Sequence, residues 1–251
     1  MPTFFADAEL TSAWSIALLL NTVLVAIAFG LPKKLLTPVG YLHAWALGVV
    51  VWGTLQGPGY TVVMFYFLVG SAVTKIGMAQ KEAAGIAEGR GGRRGPENVW
   101  GSALAGTLCA IATLLWPAYT PLFTLGYVAS FSTKLSDTTA SEVGKAYGQR
   151  TFLITTLQPV PRGTEGAVSL EGTLAGAVAS VVIAGLGGAI GLITPWGLLW
   201  CAVAAFIATN LESLIGATVQ EKFTWLTNEV VNFINTLIGA GVAIALGALL
   251  R

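Results

Sequence analysis

The sequence predicts an all-α polytopic membrane protein of about 7-8 transmembrane helices, and three observations predict it. Of its 251 residues, 55% are hydrophobic and only 10% charged, against roughly 45–50% apolar and 25% charged in soluble domains. The mean hydropathy is +0.75. The apolar residues fall into stretches of about spanning length, and the charged ones fall almost entirely between them. One integral membrane domain accounts for residues 1–251, with its polar segments at 75–98, 134–171 and 210–228.

The first span runs from about Leu10 to Leu31 and is closed by Lys33 and Lys34. Its start, MPTFFADAEL, has no basic n-region and its apolar part continues to spanning length, so it reads as a span and not a secretory signal. The second covers 39–55, and the turn Gly57-Pro58-Gly59 leads to a third over 60–75. A charged loop fills 76–97. The fourth span covers 98–116, begun by Gly95-Pro96-Glu97-Asn98 with proline in the first turn and broken at Pro117. A short fifth span reaches Thr133, and the polar segment 134–169 follows it. The sixth covers 170–193 and the seventh 196–209, with Pro195 between them. The polar segment 210–228 precedes the last span, 229–250. Spans two, three, five and seven are short, about 14–17 residues, so one of them is free to be re-entrant and the count is seven or eight.

Twelve of the thirteen Lys and Arg residues lie in loops 32–38, 75–97, 134–169 and 210–228. The turns near 56–59, 117–120 and 194–195 carry no charge, and only Asp7, Glu9 and Arg251 fall on their side. The positive-inside rule then places every charged loop in the cytoplasm and both termini opposite, in a prokaryotic plasma membrane or a thylakoid-type membrane. A channel or transporter concentrates polar groups near the midplane. Here they gather at one boundary, which suits chemistry between a water-soluble reagent and a lipid head group. Asn228, Asn232, Asn235 and Gly239 share a face of the last span and read as interhelical hydrogen-bond glue. Cys109 and Cys201 read as packing residues, and the single His43, in an apolar span, as a packed or hydrogen-bonded side chain. Zinc, haem and Ser/His/Asp chemistry are therefore not expected, and no basic-aromatic patch points to nucleic acid.

The densest polar stretch is ASFSTKLSDTTASEVGKAYG, Ala129 to Gly148. If Ser136 caps a helix, Asp137, Thr138, Ser141, Glu142 and Lys145 fall at about 0, 100, 40, 140 and 80 degrees around it. Gly144 and Gly148 share that side and permit close backbone approach. Two carboxylates, hydroxyls and a cation on one face suit hydrated Mg²⁺ carrying phosphates; an ordinary interfacial helix with an Asp/Lys pair fits the same pattern. Residues 75–101, KIGMAQKEAAGIAEGRGGRRGPENVWG, set arginines in a glycine run before a helix start. That arrangement can cradle a polyphosphate or simply fix topology. It lacks GKS or GKT, which excludes a P-loop. Arg93, Arg94, Lys75, Lys81 and Asn98 are the candidates here. In QPVPRGTEGAVSLEGTLAG, Arg162 is a candidate phosphate clamp with Thr164 beside it, and Glu165 and Glu171 are candidate ligands. Glu212, in TNLESLIGA, is a third acidic site at the same boundary; Glu221, Lys222 and Asn228 read as solvated.

Four motifs in this order, KIGMAQKEAAGIAEGRGGRRGPENVWGSALAG, SDTTASEVGKAYG, PRGTEGAVSLEGTLAG and NLESLIGA, resemble the phytyl-phosphate kinase family of integral membrane proteins, which has plant chloroplast and cyanobacterial members. The resemblance covers about Gly70 to Gly216. More distantly, Asp137, Ala140, Ser141 and Gly144 followed by Glu165-Gly166 look like the pattern of polyprenol kinases and phosphatidate cytidylyltransferases, which use CTP. Where several of those relatives carry a lysine shortly before the E-G, this chain has Arg162-Gly163-Thr164, so that role carries over by charge and not identity. The resemblance implies phosphoryl transfer from a nucleoside triphosphate, CTP foremost, to phytyl phosphate. The product would be phytyl diphosphate for tocopherol synthesis. It implies Mg²⁺ held by Asp137 and Glu142, with Glu165 or Glu212. Lys75, Lys81, Lys134 and Arg162 would neutralise charge on the transferred group, with Arg93, Arg94, Asn98, Ser141, Lys145 and Thr164 around the nucleotide. The acceptor's isoprenoid tail would lie between spans. A cytidylyltransferase releasing diphosphate and, in another class, a small ion-coupled transporter are the alternatives.

Overall fold

A computed structural model describes residues 3–250, with side chains from Ser12 onward except Glu221. Asp7, Glu9, Glu221 and Arg251, to which the sequence reading gave sides or solvated roles, lie outside the described side chains. The helices are α1 (Thr3–Gly30), α2 (Pro38–Val73), α3 (Met78–Ala83), α4 (Pro96–Leu115), α5 (Thr120–Tyr147), α6 (Leu170–Ala189), α7 (Pro195–Thr218) and α8 (Asn228–Leu249). Six of the described helices are long and apolar enough to cross a bilayer: α1, α2, α4, α6, α7 and α8. A short antiparallel pair, β1 (Thr151–Leu153) with β2 (Ala167–Ser169), pairs Thr151 with Ser169 and Leu153 with Ala167. The sequence reading had no strands here, and three-residue strands leave no alternating pattern to read.

Helix α2 is bent back on itself. As one straight rod its 36 residues would run about 54 Å. Yet Gly40 near its start and Gly70 near its end both lie against Arg94: a Cβ on either would stand 2.7 Å from the Arg94 carbonyl or 2.9 Å from its guanidinium. The reversal falls at Gln56, whose φ of 51° and ψ of −148° leave helical space, with Pro58 removing a backbone donor just beyond it. Trp52 and Tyr60, on opposite limbs, meet edge to face at 5.3 Å. The turn expected at 57–59 is thus present.

Two boundaries differ from the sequence reading. The fifth span does not stop at Thr133: α5 is continuous through Tyr147, so Ser136 is a mid-helix residue and no cap. The seventh does not stop at Thr209 either, since α7 carries Asn210 and Glu212 on to Thr218. In both cases the polar residues begin while the helix is still enclosed by others, so polarity marks the site and not the end of the helix. The foreseen starts do form. Pro96 opens α4 and Asn98 Oδ1 accepts from the Gly95 N–H at 2.9 Å. The Ser169 hydroxyl caps α6 by accepting from Gly172 N–H at 3.1 Å.

Helix α5 is the centre of the bundle and packs against α4, α6, α7 and α8. Fully buried Tyr127, Phe131 and Leu135 lie along it. Glycines make the close contacts: a Cβ on Gly106 of α4 would meet Phe131 at 2.7 Å, and one on Gly172 or Gly176 of α6 would meet the Ala140 or Ser136 carbonyl at 2.5 or 2.8 Å. Ala140 and Ser136 thus mark the seam with α6. Loop contacts gather the charged segments at one end of the bundle. The Thr37 N–H donates to Arg94 O at 3.0 Å, and the Arg94 N–H to Leu35 O at 3.0 Å.

The seam predicts that Gly176→Val, whose methyls meet backbone and not a flexible side chain, separates α5 from α6. We expect a destabilisation of about 1–3 kcal/mol, read as a lowered unfolding midpoint in detergent, whereas Gly185→Ala, with open space around it, leaves the midpoint unchanged.

Candidate functional site

The central element of the site is an ion pair inside the bundle. Lys134 Nζ donates to Asp137 Oδ2 at 2.6 Å, one turn along α5, and to Asn232 Oδ1 of α8 at 2.7 Å. The Lys134 and Asp137 side chains are 8% and 7% exposed. A charge held in such surroundings demands partners for both its members. Asn232 supplies the second acceptor, an interhelical hydrogen bond as its reading as helix glue expects, here made to a charged donor of the site. Its neighbour Asn235 is fully buried, with no hydrogen-bond partner for either amide atom among the described residues.

A second pair joins α3 to α5. Lys81, with 0% of its side chain exposed, donates to Glu142 and to Thr74 O, the latter at 2.8 Å. This answers two expectations with a different geometry. Lys81 does not line the cavity described below, because Glu142 and the end of α2 consume its donors. Glu142 reaches the cavity wall, but its carboxylate is turned to Lys81 and not left open for a metal.

The cavity, about 410 Å³, opens at the charged end and is walled by α2, α4, α5, α6, α7, α8 and the loops before α4 and α6. It brings together Arg93, Arg94, Asn98, Lys134, Asp137, Ser141, Glu142, Lys145, Thr164, Glu165 and Glu212, which the sequence spreads over four segments. Arg94 is oriented by Tyr66: its guanidinium donates to the Tyr66 hydroxyl at 2.9 Å and stands 5.3 Å from the ring centroid. Asn98 is a junction. Its Oδ1 also accepts from Arg90 at 2.9 Å, and its Nδ2 donates to Glu229 of α8 at 3.2 Å. Arg90 further pairs with Glu97. Arg93 is exposed, tied only through Nε to Arg90 O at 3.2 Å. Asp137, Lys134, Glu165 and Lys145 line the same cavity as Glu212.

Lys75 and Arg162 are not cavity residues. Lys75 is exposed past the end of α2, so it does not reach inward. Arg162 turns to the end of α5 and donates to Ala146 O at 3.2 Å, serving a free C-terminal carbonyl. Gly144 and Gly148 bring α5 close to the Ser169 hydroxyl, 3.2 and 3.1 Å from a Cβ built on each. Sequence reasoning missed Tyr66 and Glu229 as cavity residues, and it took Arg90 only as one of the arginines of the glycine run. Tyr66 carries no signal within its apolar span. Glu229 and Arg90 sit beside flagged residues, and only the fold separates them from solvated charges. His43 accepts from Trp100 Nε1 at 2.8 Å, as a hydrogen-bonded residue within a span.

No three His, Cys, Asp or Glu residues form a metal-binding group among the described residues. Mg²⁺, however, is commonly held by one or two carboxylates together with substrate phosphates. Asp137 of α5 and Glu212 of α7, which both line the cavity, fit that need; Asp137 meets Lys134 through one oxygen, Oδ2, and Glu142 is turned to the sealed Lys81.

The buried Lys81–Glu142 pair predicts that Lys81→Met, by leaving a carboxylate unpaired, costs about 3–5 kcal/mol of stability. Adding Glu142→Leu should restore most of it. Detergent unfolding of the single and double variants measures this; equal losses in both would contradict it.

The model of the integral membrane protein family DUF92 matches residues 21–240. The chain is 65% identical over 241 residues to the uncharacterized membrane protein sll0875 of Synechocystis sp., covering 96% of this chain and 93% of that one. It is 47% identical over 236 residues to the chloroplastic protein VTE6 of Arabidopsis thaliana, 92% of this chain and 71% of that one. It is also 33% identical over 187 residues to the uncharacterized membrane protein MJ0933 of Methanocaldococcus jannaschii, 73% and 74% of the two chains. No solved structure matches. The chain belongs to the DUF92 family of integral membrane proteins, that of the phytyl-phosphate kinases its four motifs resemble.

Proposed function

We propose that this protein is a membrane kinase that transfers a phosphoryl group from a nucleoside triphosphate, CTP foremost, to phytyl phosphate, feeding tocopherol synthesis. The observation that carries the reading is the convergence of all four motifs on one cavity at the charged end of an apolar bundle. The similarity to chloroplastic VTE6 over 92% of the chain supports the acceptor. We place the charged end on the cytoplasmic side, since the Lys and Arg residues cluster there. The two limbs of α2 and the polar α5, added to the other five long helices, make eight crossings.

In the transfer, an oxygen of the lipid phosphate attacks the γ-phosphorus as the bond to the β–γ bridging oxygen breaks. Phytyl diphosphate and a nucleoside diphosphate result. The acceptor is already a phosphate monoester and needs little general-base help. Catalysis then rests on positioning and charge stabilisation. Lys134, fixed by Asp137 and Asn232, presents a cation at the inner wall of the cavity, while Arg93, Arg94 and Lys145 present theirs nearer its mouth. Bound Mg²⁺ would shield triphosphate charge, and Asp137 and Glu212, with Glu165 at the rim, are the residues placed to hold it.

Purified protein given phytyl phosphate, Mg²⁺ and each of CTP, UTP, ATP and GTP tests this. The expected outcome is phytyl diphosphate with the matching nucleoside diphosphate, reduced about 100-fold or more by Asp137→Asn. A CDP-lipid with free diphosphate would move the assignment to nucleotidyl transfer. No turnover with any donor, from folded protein, would overturn it.

A further inference from the structure

The cavity does not end among the charged residues. It continues toward the middle of the bundle between α6 and α7, along Thr173, Ala177 and Val181 on one side and Asn210, Phe206 and Ala202 on the other. Each set is spaced by four residues, one turn after another down a single helix face. From Thr173 to Val181 the run is about 12 Å. The chemistry changes along it: hydroxyls and an amide stand at the end near Lys134 and Asp137, and below them the lining is apolar but for the Ser180 hydroxyl, which is turned to its own helix and donates to Ala177 O at 2.8 Å. Val181 and Phe206 are 45% and 56% exposed. They lie on helices apolar enough to cross a bilayer, so what they are exposed to is hydrocarbon. The lining thus runs from the polar end of the bundle to exposed apolar residues on the side between α6 and α7.

We propose that this side opening between α6 and α7 is where the hydrocarbon tail of the lipid-phosphate substrate lies and enters from the bilayer, with Ala177 and Ala202 setting the width it can have. The inference rests on the lipid-phosphate reading above and adds the path of the tail. Continuity decides the occupant. A phosphate at Lys134 has its ester carbon pointing either out of the polar end or down the slot, and only the slot removes an apolar chain from water. The small side chains at Ala177 and Ala202 leave room that larger ones would fill. Val178 is also exposed on α6 (63%) but faces away from the cavity, and serves as the internal control.

The test uses the full-length protein in lipid nanodiscs and a prenyl phosphate with a diazirine in its tail, photolysed without nucleotide. Adducts mapped by mass spectrometry are expected within 173–181 and 202–210, reduced at least tenfold in Ala177→Trp and unchanged in Val178→Trp. In the kinase assay, Ala177→Trp should raise the KM for phytyl phosphate tenfold or more and leave the nucleotide KM unaltered. Adducts concentrated on another face, such as the shallow groove of Phe29, Leu42 and Trp45, labelling indifferent to Ala177→Trp, or no adducts at all would overturn the proposal. Labelling needs no turnover, so slot adducts in a protein without kinase activity would sink the kinase reading alone. Activity with adducts elsewhere would sink the slot alone.

Discussion

Lys134 and Asp137 sit halfway along the central helix, and the architecture is largely what it takes to keep a charged pair there. Two ions removed from water cost several kcal/mol each before their attraction is counted. They persist only if every remaining donor and acceptor is met or opens onto a polar space. Asn232 meets one lysine donor from α8, and the cavity receives the open side. The rest is exclusion: α4, α6, α7 and α8 surround α5, and glycines at 106, 172 and 176 let their backbones come near enough to close the gaps.

The cations of the charged end divide by what holds them. Lys81 is sealed against Glu142 and fixes the chain between α2 and α4 to the end of α5. Arg94 is half-buried, bonded to Tyr66 through its side chain and to Leu35 and Thr37 through its backbone. Arg93 and Lys145 face the cavity with few or no protein partners. This gradient from sealed to open suits a site that must stay shaped when empty of ligand and still offer positive charge to phosphates. A fully paired set would have nothing to give, and a fully open one would repel itself.

Much of this was legible in the residues. The apolar stretches, the Gly-Pro-Gly reversal, the helix start at Pro96 and the four polar motifs all act through local rules. What stayed hidden depends on residues far apart in the chain. The sequence shows a change from apolar to polar at Lys134 and reads it as the end of a span. The helix continues because Asn232 and the walls of α6 and α7 supply what water would have supplied. Lys81 and Lys75 look alike in sequence, yet one is sealed and the other exposed, since a buried partner at Glu142 exists for only one of them. Arg162 lies in the right motif and turns to the carbonyl end of α5. No pattern rule specifies the loop path that turns it there. Asn232 and Tyr66 lie in apolar spans, where a polar atom is as often glue as ligand.

Helix α6 shows how packing and access are reconciled. Its first two turns are fastened: Ser169 caps it, Glu171 accepts from the Gln149 N–H at 3.3 Å, and Gly172 and Gly176 lie on the α5 backbone. That fastening fixes the wall nearest the ion pair, where a small displacement would matter most to phosphate positioning. The same helix turns Leu170, Leu174 and Val178 outward, so its far side asks for hydrocarbon and nothing else. A wall rigid at its polar end and bordered by lipid along its length can hold a head group in place while a flexible chain moves beside it. A site joining a water-soluble donor to a membrane-bound acceptor needs both properties in one element, and the glycine spacing of α6 provides them.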